Sequence, residues 1–248
     1  MGRLAAFDIE TTGTDTENDR IVTAAVSVVG AGLDSVSMAW LVDPGVEIPA
    51  EATAVHRITN ERVRTEGLPA EQAVAEITEY LAEIVSEGVP IVAFNARFDL
   101  TILDREARRY GQETLIEMIG GPEALLVIDP YVLDKQFNRF RKGRRTLGVL
   151  CEGYGIPLDD AHAADADALA AARLAWKLGH TQAELAEYDL PKLHQAQVTW
   201  ALAQAESLQE YFESQGRPGR IEGEWPVVSL PAPVSIGVPE ALPEASGF

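Results

Sequence analysis

The chain has 248 residues, 46% of them hydrophobic, with 20 Lys and Arg against 39 Asp and Glu for a formal net charge of −19. This is enough apolar material for one sizeable core plus an appendage, and no apolar run reaches the roughly 18 residues that span a bilayer, so a soluble, cytoplasmic protein with no membrane partner is expected. A single cysteine, Cys151, excludes an intramolecular disulfide, and the acidic balance argues against non-specific nucleic-acid binding unless metals or a local basic patch supply the attraction.

Leu4 to Ile9, Ile21 to Val29 and Val36 to Val42 read as three strands, with Gly30-Ala31-Gly32 turning the second into the third and Asp43-Pro44-Gly45 ending an antiparallel meander. A polar stretch follows to about Pro69. Ala73, Val74, Ile77, Leu81, Ile84 and Val85 then recur at helical spacing up to Gly88. Ile91 to Phe94 is a short apolar strand that opens into Asn95-Ala96-Arg97-Phe98-Asp99 and a helix carrying Leu100, Leu103 and Ala107. Leu125 to Ile128 is another strand, helices are expected near Tyr131 to Phe137 and Thr146 to Tyr154, and the alanine-rich segment Ala163 to Leu178 is a helix by propensity. Antiparallel strands followed by alternating strands and helices describe an α/β domain on a mixed sheet. Past Gly179, Thr181 with Glu184 offers a helix start, and apolar residues from Leu185 to Tyr211 suggest one or two helices ending near Gly216. Six prolines from Pro218 to Pro243 stop regular helix beyond that. The expected organisation is a domain over 1–179, a helical extension over 180–216, and a Pro-rich, extended or disordered tail over 217–248.

Asp8 and Glu10 are the most informative residues. Alternate residues of a strand share a face, so both carboxylates project together where the strand stops at Thr11-Thr12-Gly13. Two like charges this close oppose their own ionisation unless a cation neutralises them, and hard oxygen donors favour magnesium or manganese. Asp99, at a helix start after a strand, and Asp167, five residues after His162, supply two further carboxylates that can converge on the same sheet edge. Arg139, Arg141, Lys142, Arg144 and Arg145 put five positive charges in seven residues around Phe140, a candidate phosphate-contacting loop.

Phe7-Asp8-Ile9-Glu10-Thr11-Thr12-Gly13, Asn95-Ala96-Arg97-Phe98-Asp99, and His162 and Asp167 with four residues between them resemble, in order and spacing, the three motifs of the DEDDh (DnaQ-like) 3′-5′ exonucleases, over roughly residues 4 to 178. That family includes the proofreading subunit of bacterial DNA polymerase III, ribonuclease T and oligoribonuclease. The resemblance implies a ribonuclease H-like fold with a mixed five-stranded sheet. It implies two Mg2+ (or Mn2+) ions held by Asp8, Glu10, Asp99 and Asp167 about 4 Å apart, and His162 as general base. The product would be a nucleoside 5′-monophosphate from a single-stranded DNA or RNA 3′ end, in proofreading, repair or RNA trimming. The family's His-Gly-Ile-Thr motif reads here as His56-Arg57-Ile58-Thr59, with arginine for the usual glycine. Thr11, Thr12, His56, Ile58, Asn95 and Phe98 would meet the terminal nucleotide, and Arg141, Lys142, Arg144 and Arg145 its phosphates. Asp165 is off the family spacing and reads as a solvated neighbour. A haloacid-dehalogenase-like phosphotransferase fits poorly, since Glu10 stands where that chemistry wants Asp. A non-catalytic module is the other rival, and the C-terminal third, with Gly223-Glu224-Trp225-Pro226-Val227-Val228-Ser229-Leu230, is a candidate to pack on the body or to bind a polymerase or sliding clamp.

Overall fold

The protein is described here from a computed structural model covering residues 2–30, 32, 35–158 and 164–230. Strands β1 (Arg3–Thr11), β2 (Ile21–Gly30) and β3 (Val36–Asp43) form the antiparallel meander. The alternation within β1 decides what each face of the sheet does. Ala5, Phe7 and Ile9 enter the main core, whereas Leu4 and Ala6 enter clusters on the opposite face. Asp8 and Glu10 continue that second face.

Helices α1 (Ala50–His56) and α2 (Asn60–Glu66) occupy the polar stretch after the meander. They lead to β4 (Leu68–Pro69), a two-residue strand parallel to β3. Gly67 permits this pairing: a Cβ there would lie 2.4 Å from Val63 O and 2.7 Å from Asp43 N, so only glycine lets α2 end against β3. The sheet therefore has one strand more than the five expected. Next come α3 (Ala70–Ser86), β5 (Ile91–Val92) and α4 (Ala96–Arg109), then α5 (Leu115–Met118), β6 (Val127–Ile128) and α6 (Pro130–Phe137). β5 pairs parallel with β1, and β6 with β5, giving the order β4-β3-β2-β1-β5-β6.

Val74, Ile77 and Leu81 of α3 and Leu100, Ile102 and Leu103 of α4 pack with Phe7 and Ile9, all but excluded from solvent. Each such side chain contributes roughly 1.5–3 kcal/mol by its burial. The other face is covered by α7 (Leu147–Tyr154) and α8 (Ala164–Thr181). Ala6 packs directly on Ala168 and Ala172, so the alanines of α8 act as spacers that let the helix lie close over β1. A larger side chain at Ala168 would lift the helix off the strand.

Thr181 does not start a helix. It is the last residue of α8, its hydroxyl donating back to Lys177 O at 2.9 Å, and α9 (Leu190–Ser214) starts instead at Asp189, whose carboxylate accepts the Lys192 N–H at 2.9 Å, with Pro191 in the first turn. The cause is the 3-10 turn Ala183–Glu187, which uses up the segment expected to be helical. α9 reaches back to β6. His194 Nδ1 accepts the Val127 N–H at 3.1 Å, and the fully buried Gln197 amide accepts from Asp129 N at 2.7 Å and donates to Val127 O at 2.9 Å.

Residues 217–230 have neither helix nor strand, yet they pack on the body. Trp225 is 6% exposed and joins the main core, its indole N–H donating to Asp129 Oδ2 at 3.2 Å. Arg97 donates to Glu222 O, and Val228 N–H donates to Thr101 Oγ1 at 3.0 Å. The rest of the expected tail, 231–248, lies outside the described residues. No helix among the described residues is long and apolar enough to cross a membrane.

Candidate active site

The face that carries Leu4 and Ala6 under α8 runs on to Asp8 and Glu10 at the end of β1, where the register with β2 shifts between Glu10 and Thr11. A bulge at this point re-aims the strand end beside the site. Asp167 stands in the first turn of α8, in one helical stripe with the buried Ala171, Leu174 and Leu178, so the packing that seats α8 also delivers its carboxylate. Carboxylate oxygens of Asp8, Glu10 and Asp167 all lie within 4.8 Å of one another. Asp99 arrives from the other side of the sheet edge, in the first turn of α4, and is only 3% exposed.

The electrostatics follow from this crowding. Burial, with the charges of Asp99, Asp167 and Glu10 added, holds the Asp8 carboxyl well above the ordinary carboxylate range. Burial and Asp167 push Glu10 up to about 7. Asp99 is raised as well, by burial above all, with Asp129 and Glu10 adding to it and backbone hydrogen bonds opposing. An all-oxygen cluster that resists ionising until a cation arrives has the donor chemistry of a magnesium or manganese site. Asp8, Glu10 and Asp167 fit such an ion directly, and Asp99 adjoins them.

Asp129 is the residue that sequence reasoning missed. Buried at 1% exposure, it accepts the Asn95 N–H at 2.9 Å, the Ala96 N–H at 3.0 Å and the Tyr131 N–H at 2.9 Å, and burial lifts it to about 6. These bonds hold Asn95 in the left-handed region at φ 65° and so fix the start of α4, three residues before Asp99. The available signal was Asp-Pro directly after an apolar strand, the pattern of an N-cap with proline at the first helical position.

The predicted substrate-side residues separate into groups. Thr11 and Thr12 are buried and use their hydroxyls within the β1–β2 loop, Thr11 donating to Gly13 O and Thr12 to Asp19 Oδ1 at 2.7 Å. Gly13 is needed there, since a Cβ would meet the Asp19 carboxylate at 2.4 Å. Phe98 packs against the main core, and Asn95 occupies the N-cap position of α4 without a side-chain capping bond. His56 is 5% exposed, its Nδ1 accepting the Ile58 N–H at 3.1 Å, and burial lowers its pKa. His56 and Ile58 line a groove of about 440 Å3 together with Glu10, Thr23, Trp40, Arg57 and Arg62.

The basic run is divided by a buried acid. Arg145 Nε donates to Asp134 Oδ2 at 2.9 Å, Arg141 Nε lies 3.5 Å from the same oxygen, and Tyr154 donates to Oδ1 at 2.8 Å. Arg141 also lies over the Tyr154 ring. These two arginines anchor the loop, and Lys142, Arg144, Arg139 and Phe140 are left exposed at its tip. Asp165 is exposed. His162 lies outside the described residues.

A family model described as exonuclease, of the RNase T type, matches residues 5–175. The DNA polymerase III PolC-type protein of Streptococcus suis is 30% identical over 168 residues, which are 68% of this chain and 10% of that protein. A DNA polymerase III subunit epsilon-like protein of Rhodobacter capsulatus is 40% identical over 112 residues, 44% of this chain and 15% of the other. The chain thus spans only a small part of these relatives. Among solved structures, exonuclease I superposes with a TM-score of 0.64 at 20% identity, covering 76% of this chain and 43% of that one. The E. coli exonuclease I complex with a dT13 oligonucleotide gives 0.60 at 21% identity, covering 76% and 43%. These likenesses confirm the ribonuclease H-like fold. With the family match over residues 5–175 taking in all four carboxylates, the chain belongs to the RNase T-type, DnaQ-like exonuclease family.

Proposed function

We infer that the chain is a metal-dependent exonuclease that releases nucleoside 5′-monophosphates from the 3′ end of single-stranded nucleic acid. The observation that carries this reading is the convergence of Asp8, Glu10 and Asp167 within 4.8 Å, with buried Asp99 beside them. Asp8, Glu10, Asp99 and Asp167 would hold two Mg2+ or Mn2+ ions, whose chemistry is to activate water and offset charge on the cleaved phosphate. The chain's own residues do the rest. Asp129 keeps α4, and with it Asp99, in place. His162, on its spacing to Asp167, is assigned the proton of the attacking water. Ile58 and the groove beside Glu10 offer an apolar seat for a terminal base, and the exposed tip with Phe140, Lys142 and Arg144 offers a stacking face and cations to the strand behind it. Single-stranded DNA as substrate is supported by the exonuclease I complexes with dT13 and dA16 oligonucleotides, and a proofreading role beside a polymerase by the PolC-type relatives. A cytoplasmic setting fits both.

The test uses 5′-labelled single-stranded DNA and RNA of one sequence with Mg2+, Mn2+ or EDTA. A ladder shortening from the 3′ end that EDTA abolishes is expected, with DNA cut faster than RNA. An intact label under every condition would overturn the reading.

A further inference from the structure

Two residues other than glycine have positive φ among the described residues, Asn95 and Arg57. Asn95 has an internal reason, since Asp129 holds it. Arg57, at φ 62° and ψ 12°, only closes α1, its N–H on Thr53 O at 2.8 Å. Glycine performs that task without the cost that a side chain incurs in the left-handed region. Strain of this kind persists where the surroundings impose it and clusters at working sites. Both neighbours are fixed here, His56 by burial and its bond to Ile58 N, and Ile58 by packing on the cluster of Val22, Ile48 and Val63.

The consequence is an exposed guanidinium set at the wall of the groove that begins at Glu10. Arg57 makes no ion pair or side-chain hydrogen bond among the described residues, whereas Arg62, the other cation of that groove, pairs with Glu66 at 3.3 Å. In a chain of net charge −19, a cation without a partner among the described residues that adjoins a carboxylate cluster offsets a field that would repel a polyanion. With the cleaved phosphate at the carboxylates and the terminal base in the groove, Arg57 at the groove wall is left to a second phosphate at the groove's mouth.

We propose that Arg57 binds a phosphate of the substrate other than the one being cleaved, so that this enzyme selects strands bearing a second phosphate next to the scissile one. The proposal rests on the exonuclease reading above. Two sources supply that chemistry, an internal phosphodiester and a 3′-terminal phosphate monoester.

The experiment is steady-state kinetics of the full chain with Mg2+ on three substrates: an oligothymidylate with a 3′ hydroxyl, the same strand with a 3′ phosphate, and the p-nitrophenyl ester of thymidine 5′-monophosphate, which has a single phosphate. Arg57→Gly should raise KM about tenfold on one or both strands with kcat within about twofold, as expected for loss of a charge-assisted hydrogen bond. The salt slope should fall by about 0.7. Arg57→Lys should keep part of the affinity as a point charge. The melting temperature of Arg57→Gly should stay level or rise, which separates lost binding from lost folding. An effect on the 3′-hydroxyl strand identifies the internal diester, and one confined to the 3′-phosphate strand identifies the monoester. Unchanged KM on both strands, or an equal loss on the nitrophenyl ester, would overturn the proposal. A wild-type protein inert on all three would instead remove the exonuclease reading beneath it.

Discussion

Glu10→Gln in metal-free protein isolates the cost of the carboxylate cluster. In the folded chain Glu10 titrates at about 7 against an ordinary 4.5, because of burial and then Asp167. Between those values the folded state keeps a proton that the unfolded state has released. The contribution to stability is therefore fully present below about pH 4.5 and is lost as pH rises through 7. The roughly 2.5 pH units between the two values correspond to about 3.4 kcal/mol at about 1.36 kcal/mol each. Glu10 is partly exposed, and solvent screening reduces this to about 1–2 kcal/mol. For a chain of this size that is about 3–6 °C in melting temperature. The assay is thermal unfolding in EDTA at about pH 4 and about pH 8, wild type against Glu10→Gln. Near pH 4 the two should melt together, and near pH 8 the variant should melt about 3–6 °C higher. Asp8 and Asp99 push in the same direction in both proteins, and because the Glu10 charge adds to both of their shifts, its removal eases them as well and widens the gap near pH 8. Millimolar Mg2+ near pH 8 should reverse the order by stabilising the wild type. A melting gap that is the same at both pH values would refute the reasoning.

Asp8→Ala should abolish cleavage while leaving the EDTA melting temperature level or higher, since it relieves repulsion from three neighbours; retained activity would sink the site assignment. Trp225→Phe keeps most of the buried ring but takes the indole N–H from Asp129, and denaturant unfolding should show a loss of about 1–2 kcal/mol. Arg145→Ala strips a partner from the fully buried Asp134 side chain and should cost about 2–3 kcal/mol of stability. The pair Lys142→Ala with Arg144→Ala should leave stability within about 0.5 kcal/mol and lower the salt slope of strand binding, read by fluorescence anisotropy with Ca2+ in place of Mg2+. An unchanged slope would detach the loop tip from the substrate.

The sheet and the carboxylate cluster were legible because they rest on local rules. Period-two alternation in β1 puts Asp8 and Glu10 on one face, and an alanine stripe brings Asp167 to them. What was not legible rests on long-range partners. Asp129 gathers donors from Asn95, 34 residues away, and Trp225, 96 residues away, and no sequence window contains both. The basic run showed its charge but not its direction, since only the tertiary position of Asp134 turns Arg141 and Arg145 inward. α1 and α2 are one or two turns long with few buried residues, so their periodicity was too weak to read. Over residues 217–230 the backbone is neither helix nor strand, and the apolar stretch ending at Leu230 pointed to docking on the body; only the structure supplies the Asp129 partner.

The hydrogen bonds from α9 to β6 bear on whether this edge of the sheet can pair with another chain. β6 is the last strand on its side, and a free strand flank is an open template for pairing with another chain. Here the Gln197 amide and the His194 ring stand where a seventh strand's backbone would, saturating Val127 and the Asp129 N–H. A chain cut after residue 179 keeps every carboxylate of the site yet bares that flank, and its fate at high concentration is self-association through the unsealed side of the sheet.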